Sequence, residues 1–163
     1  MTRLVDTNVL YAANDAEALD YDPACVLACV RLLRDVKENG ILALDDKFEI
    51  LREYRRNAKE AGMPGVGDEF LKWALSNAYV EGACAITLIE RHPDRVWTAF
   101  PDADDVANFD RSDRKFVAVA LTHPDNPPIH NVGDSDWHEH HDALVGHGVR
   151  IVQLCPERLD DRT

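Results

Sequence analysis

The sequence predicts an α/β fold: a three-layer α/β/α sandwich around a mainly parallel central sheet. Short apolar runs of strand length alternate with longer stretches of helical periodicity. The links between them are short, as in compact α/β units. No linker, repeat or low-complexity segment divides the 163 residues, so one domain over 1–163 is expected, large enough to build a core without staples.

The elements follow in order. "TRLV" reads as a short buried strand ending at Asp6. "ACVLACVRLLRDVKEN" has helical spacing and stops at Gly40, a C′ position by type. "ILAL" is a second buried strand. "DDKFEILREYRRNAKEA" is an amphipathic helix with Asp45 or Asp46 as N-cap and Phe48, Leu51 and Tyr54 as its stripe. "GMPGVG" breaks the chain. "DEFLKWALSNAYV" is a helix with Phe70, Leu71, Trp73 and Leu75 as apolar contacts, and "ACAITLIERH" fits helix or strand equally. "FPDADDVANFD" is a loop with at most a helical turn. "RSDRKFVAVALTH" is a helix with Ser112 as N-cap and Phe116, Val119 and Ala120 buried. "PIHNVG" is a strand, "DSDWHEHHDALVGH" one short helix, and "VRIVQL" the last strand.

Composition narrows the function classes. No apolar run is long enough to span a bilayer, and the N-terminus lacks the layout of a signal peptide; a cytoplasmic protein with no membrane partner is expected. Cys25, Cys29, Cys84 and Cys155 include no CxxC pair and read as small buried thiols of a reducing compartment. The net charge of −12 argues against a broad basic surface for nucleic acid, and raises the prospect that carboxylates are gathered around a cation.

The positions of the acids give that prospect a place. Asp6 closes the first strand, and Asp134 and Asp136 follow the "IHNV" strand. Ligands of open parallel sheets bind beyond the carboxyl ends of the strands. Asp113 in the first turn of its helix and Glu53 in the helix after the second strand can reach the same edge. Carboxylates so gathered stay ionised together only beside cations. Mg²⁺ needs few of them and keeps most of its waters. One such ion ionises a water, and a second about 3.5–4 Å away stabilises a leaving oxygen.

The blocks "VDTNVL" (5–10), "EILREY" (49–54), "DRKFVAVAL" (113–121) and "VGDSDW" (132–137), followed by "GVRIVQL", come in an order and spacing that resembles the PIN-domain family of metal-dependent ribonucleases across nearly the whole chain. The resemblance implies a single PIN-like domain and a metal-activated water attacking an RNA phosphodiester, with Mg²⁺ or Mn²⁺ as cofactor. By position, Asp6, Glu53, Asp113 and Asp134 correspond to the four acidic ligands, and Asp136 to the auxiliary acid. Thr7 and Asn8 would organise the turn that holds Asp6. Glu49 lies one turn before Glu53 and is its rival as second acid; Glu53 is preferred because Tyr54 matches the apolar residue usual after that acid. Asp110 can reach the site from behind Asp113. Many stand-alone bacterial members of this size are toxins of the VapC type, silenced by a small antitoxin and often homodimeric. RNA phosphates would be met by Arg52, Arg55, Arg56 and Lys59 on one helix and by Arg111, Arg114 and Lys115 around Asp113.

Plainer roles compete. Asp6 and Asp113 suit helix starts, and Asp134 and Asp136 suit a turn and its cap. Asp102, Asp104 and Asp105 lack the glycine and closing Glu of a calcium loop. "WHEHH" lacks the metalloprotease spacing, though His138 and His141 at i,i+3 can still catch a metal. Trp97 and Trp137 suit base stacking or, by default, the core. A catalytically silent PIN-like scaffold for RNA or protein is the alternative function. A haloacid-dehalogenase-type phosphatase would need a second aspartate where Asn8 stands.

Overall fold

A computed structural model describes residues 1–14, 21–57 and 63–156. Its sheet has five strands, all parallel: β1 (Thr2–Val5), β2 (Ile41–Asp45), β3 (Cys84–Thr87), β6 (Ile129–Asn131) and β7 (Ile151–Gln153), in the spatial order β3-β2-β1-β6-β7. Between β3 and β6 the chain forms a small antiparallel hairpin, β4 (Arg91–His92) with β5 (Val96–Trp97), apart from the main sheet. The sequence left "ACAITLIERH" open between helix and strand; it supplies β3 and then β4.

The helices are α1 (Thr7–Ala13), α2 (Pro23–Asn39), α3 (Glu49–Arg56), α4 (Val66–Asn77), α5 (Arg114–Thr122), α6 (Ser135–Glu139) and α7 (His141–Gly146). The chain steps from β1 to β2 to β3 in one direction, then returns past β1 to β6 and β7. Right-handed crossovers therefore put α1 to α4 on one face and α5 on the other, a three-layer α/β/α sandwich. No helix among the described residues is long and apolar enough to cross a membrane.

The core forms where both faces of the sheet are covered. Leu4, Val5, Leu42, Leu44 and Ile129 of the central strands have no more than trace exposure, and so do Phe116 to Ala120 of α5. Such near-continuous apolar runs are what a doubly covered parallel sheet demands. Trp97 and Trp137 both belong to this interior, Trp137 edge-on to Phe109 at 4.9 Å. Base stacking by either is excluded by burial.

Several local expectations are corrected by specific contacts. Gly40 closes α2 in extended backbone (φ −116°), not in the left-handed region. It is small because a Cβ there would come within 3.1 Å of Val36 Cα and 3.3 Å of the Met1 carbonyl. Helix α3 starts at Glu49, so neither Asp45 nor Asp46 holds the N-cap position. Asp45, fully buried at the end of β2, reaches forward to accept from the Glu49 and Ile50 N–H groups at 2.9 Å each. That side chain satisfies donors orphaned at the helix start and holds Phe48 in a left-handed turn (φ 56°). Asp46 instead accepts from Ile89 N–H at 2.9 Å. Ser112 is not the cap of its helix. Asp110 accepts from Ser112 N–H at 2.8 Å, a 3-10 turn spans Arg111–Asp113, and α5 follows. The "DSDWHEHH" segment forms two helices, broken at His140. Leu75 is 48% exposed rather than packed. Ala58 to Ala61, expected as the end of the third helix and including Lys59, lie outside the described residues.

The cysteine expectation is also corrected. Cys25 of α2 and Cys155 after β7 form a disulfide across 130 residues, Cα to Cα 5.3 Å, with the Cys29 thiol one turn along α2. Helical spacing placed Cys25 and Cys29 together; the long-range partner was invisible until β7 brought Cys155 back to α2.

Candidate active site

Strand order sets the position of the site. The chain reverses direction between β1 and β6, and the crevice beyond their carboxyl ends is the switch point where open α/β sheets bind ligands. Asp6 leaves β1 there, and Asp134 leaves the turn after β6. Gly133 makes that turn with φ 85°, a conformation that favours glycine, its N–H held at 2.7 Å by Asn131 Oδ1. Helix α3 brings Glu53 from one side and the start of α5 brings Asp113 from the other. Together they line a cleft of ≈ 250 Å³ with Thr7, Asn8, Asn57, Asp110 and Ser112.

Asp6 is the deepest of the acids, 2% exposed. It occupies the N-cap position of α1, yet its side chain makes no cap hydrogen bond. Its Oδ2 is buried without any partner. A buried carboxylate oxygen with nothing to accept from is costly and rare. Burial first, then the charges of Asp113, Glu53 and Asp134, hold the Asp6 carboxyl well above the ordinary range. The Asn8 backbone N–H opposes this shift. Asp113 is pushed up to about 7 by burial and by Glu53 and Asp110, against the pull of Lys115.

The other acids are held by named donors. Thr7 Oγ1 donates to Glu53 Oε2, and Lys115 Nζ lies 3.1 Å from Glu53 Oε1. Asn8 Nδ2 donates to Asp134 Oδ2 at 2.8 Å, and Ser135 N–H to its Oδ1 at 3.0 Å. The Thr7 and Asn8 side chains thus organise Glu53 and Asp134, while the Asn8 backbone N–H acts on Asp6. Glu49 points out of the cleft, paired with Arg52 at 2.9 Å and Arg91 at 2.6 Å. Asp136 does not line the cleft either. It accepts from Asp110 N–H at 2.8 Å and so fixes the turn that presents Asp113. Tyr54, one residue after Glu53, is buried with its hydroxyl donating to the Val5 carbonyl, which locks α3 onto the end of β1.

The basic residues separate into three kinds. Arg114, 5% exposed, spends its guanidinium on the Phe109 and Ala107 carbonyls and stacks over Phe100 at 4.3 Å. Its assignment as a phosphate contact is corrected: it braces the loop before α5. Lys115 is buried against Glu53 and is likewise not a surface contact. Arg52 is tied to Glu49, and Arg111 donates to the Asp94 carbonyl at 2.9 Å. Arg55 and Arg56 are exposed at the end of α3. Asn57 and Ser112 are lining residues the sequence reading passed over. Asn57 sits one helical turn after Glu53, and Ser112 beside Asp113, so adjacency was the available signal.

The cleft is open. Among the described residues, the side-chain groups whose ligand atoms all lie within 4.8 Å of one another are Cys25, Cys29 and Cys155, and Asp136, Glu139 and His140. His140, and not the His138–His141 pair, is thus the histidine grouped with acids. The Asp6 cleft forms no such collapsed shell. An open cleft lined by four acids suits a hard cation that keeps part of its hydration and shares the remainder with a substrate phosphate. No family model, curated protein or solved structure matches the chain.

Proposed function

We propose that this chain is a PIN-type, metal-dependent endoribonuclease that hydrolyses RNA phosphodiester bonds at the Asp6 cleft. One observation carries the reading: Asp6 Oδ2 is buried and unpartnered in a cleft that also receives Glu53, Asp113 and Asp134. An orphaned carboxylate oxygen among three further acids fits a cation in the functional state, and oxygen-only donors fit Mg²⁺ or Mn²⁺. When bound, such an ion supplies an ionised water and charge neutralisation at phosphorus.

The chain's own residues do the positioning. Asp6 and Asp113 would hold the cation through their carboxylate oxygens. Asn8 orients Asp134, and Asp136 steadies the backbone that carries Asp113. Arg55 and Arg56, on the helix that delivers Glu53, are suited to RNA phosphates beside the cleft. As a toxin, the protein would be held silent by an antitoxin and would act as a homodimer; this rests on the family resemblance. A groove between α3 and α4 lined by Phe48, Leu51, Leu75 and Tyr79 is where such a partner would first be sought.

A second reading, a silent PIN-like scaffold, is favoured by the net charge of −12. The test is cleavage of labelled single-stranded RNA with Mn²⁺, with Mg²⁺ and with EDTA, beside Asp6→Asn. Metal-dependent cutting absent from the variant supports the nuclease. Equal Mn²⁺ binding by wild type and Asp6→Asn in calorimetry, without cleavage, supports the scaffold.

A further inference from the structure

Lys115 stands behind the cleft and, among the described residues, makes an ion pair with one of its acids, Glu53. It lies on α5 two residues after Asp113 and is 6% exposed. Its ammonium has three donors. One meets Glu53 Oε1 at 3.1 Å and one the Ser112 carbonyl, while the Phe116 ring lies 5.1 Å away. Both oxygens of Glu53 are therefore engaged, Oε1 by Lys115 and Oε2 by Thr7. Among the described residues, neither Asp6 nor Asp113 has a cation within ion-pair distance, although the Lys115 charge is felt at Asp113.

We propose that the Lys115 ammonium is a built-in substitute for a second divalent cation, so that the cleft takes one Mg²⁺ or Mn²⁺ at Asp6, Asp113 and Asp134, with Glu53 reserved for the lysine. The inference rests on the metal-dependent reading above and deepens it. A second ion between Glu53 and Asp113 would have to displace the ammonium from its carboxylate. That ion pair is the only one Lys115 makes among the described residues. A buried ammonium without its anion is strongly destabilising, and a dication placed beside it adds repulsion at short range. The lysine thus sets the metal count, and it holds Glu53 in position without reaching the reacting atoms.

The test is Mn²⁺ stoichiometry by calorimetry, with electron paramagnetic resonance on the same samples. One Mn²⁺ per wild-type chain with the spectrum of an isolated ion is expected, and none for Asp6→Asn. Lys115→Met should take two and show an exchange-coupled pair. Glu53→Gln, which keeps the lysine but removes its anion, should still bind one when it is shown to be folded by circular dichroism. Two coupled ions in the wild type, a single ion in folded Lys115→Met, or loss of binding in folded Glu53→Gln would each overturn the inference and leave the metal site standing. No Mn²⁺ in wild type or any variant would overturn the metal reading itself.

Discussion

Replacing Asp113 by Asn should stabilise the metal-free protein, and by an amount that depends on pH. Burial and the neighbouring Glu53 and Asp110 raise the Asp113 carboxyl from an ordinary 3.8 to about 7. A carboxyl whose value is higher folded than unfolded favours the folded state while protonated. Its contribution is whole below the unfolded value and is lost as pH rises through about 7. At about 1.4 kcal/mol per tenfold, that displacement corresponds to about 4 kcal/mol of repulsion and desolvation above neutrality. Glu53, Asp110 and Lys115 share the field, so the substitution should recover about 1–3 kcal/mol at pH 8 and almost nothing at pH 4. The assay is urea denaturation in EDTA from pH 4 to 8, wild type beside Asp113→Asn. Mn²⁺ at about 1,000 times its Kd should reverse the order, since it stabilises the wild type by about 4.1 kcal/mol. A variant less stable than wild type at pH 8 in EDTA, or one with the same pH slope, would refute the reasoning.

Other consequences are as direct. Cys155→Ser, or reduction of the wild type, should cost about 2–5 kcal/mol, because the Cys25–Cys155 link closes a very long loop in the unfolded chain; an unchanged urea midpoint would count against the link. Gly67→Ala should lose about 3 kcal/mol or more, since its Cβ would stand 2.1 Å from the Leu10 carbonyl, whereas Gly146→Ala, with open space, should gain about 0.5–1 kcal/mol; thermal melts rank the two. Asn8→Ala releases Asp134 and should weaken Mn²⁺ binding about 10- to 100-fold in calorimetry while leaving the fold intact. Arg114→Ala should destabilise by about 2 kcal/mol or more, as its hydrogen bonds to the Phe109 and Ala107 carbonyls go, without the loss of RNA affinity expected of Arg55→Ala in a filter-binding assay.

Sequence alone determined the layers of this protein and the neighbourhood of its site. The alternation of strand and helix periods is a local property, so β1, β2, β6 and β7 and most helices were legible from apolar spacing. Asp6 and Asp134 were legible as acids just past strand ends, because the carboxyl edge of a parallel sheet is fixed by chain direction. Tertiary structure decided everything that depends on distant partners. Which acid of the α3 pair enters the cleft turned on Glu49 finding Arg91, 42 positions away. Lys115 and Arg114 carry the same charge at adjacent positions, yet helix phase sends one to Glu53 and the other to the Phe109 carbonyl. Asp45 reaches the first N–H groups of α3 from the end of β2, and Cys25 meets Cys155 only because β7 lies where it does. A residue's type and spacing limit what it can do; which partner it meets is set by the packing of elements that the chain separates.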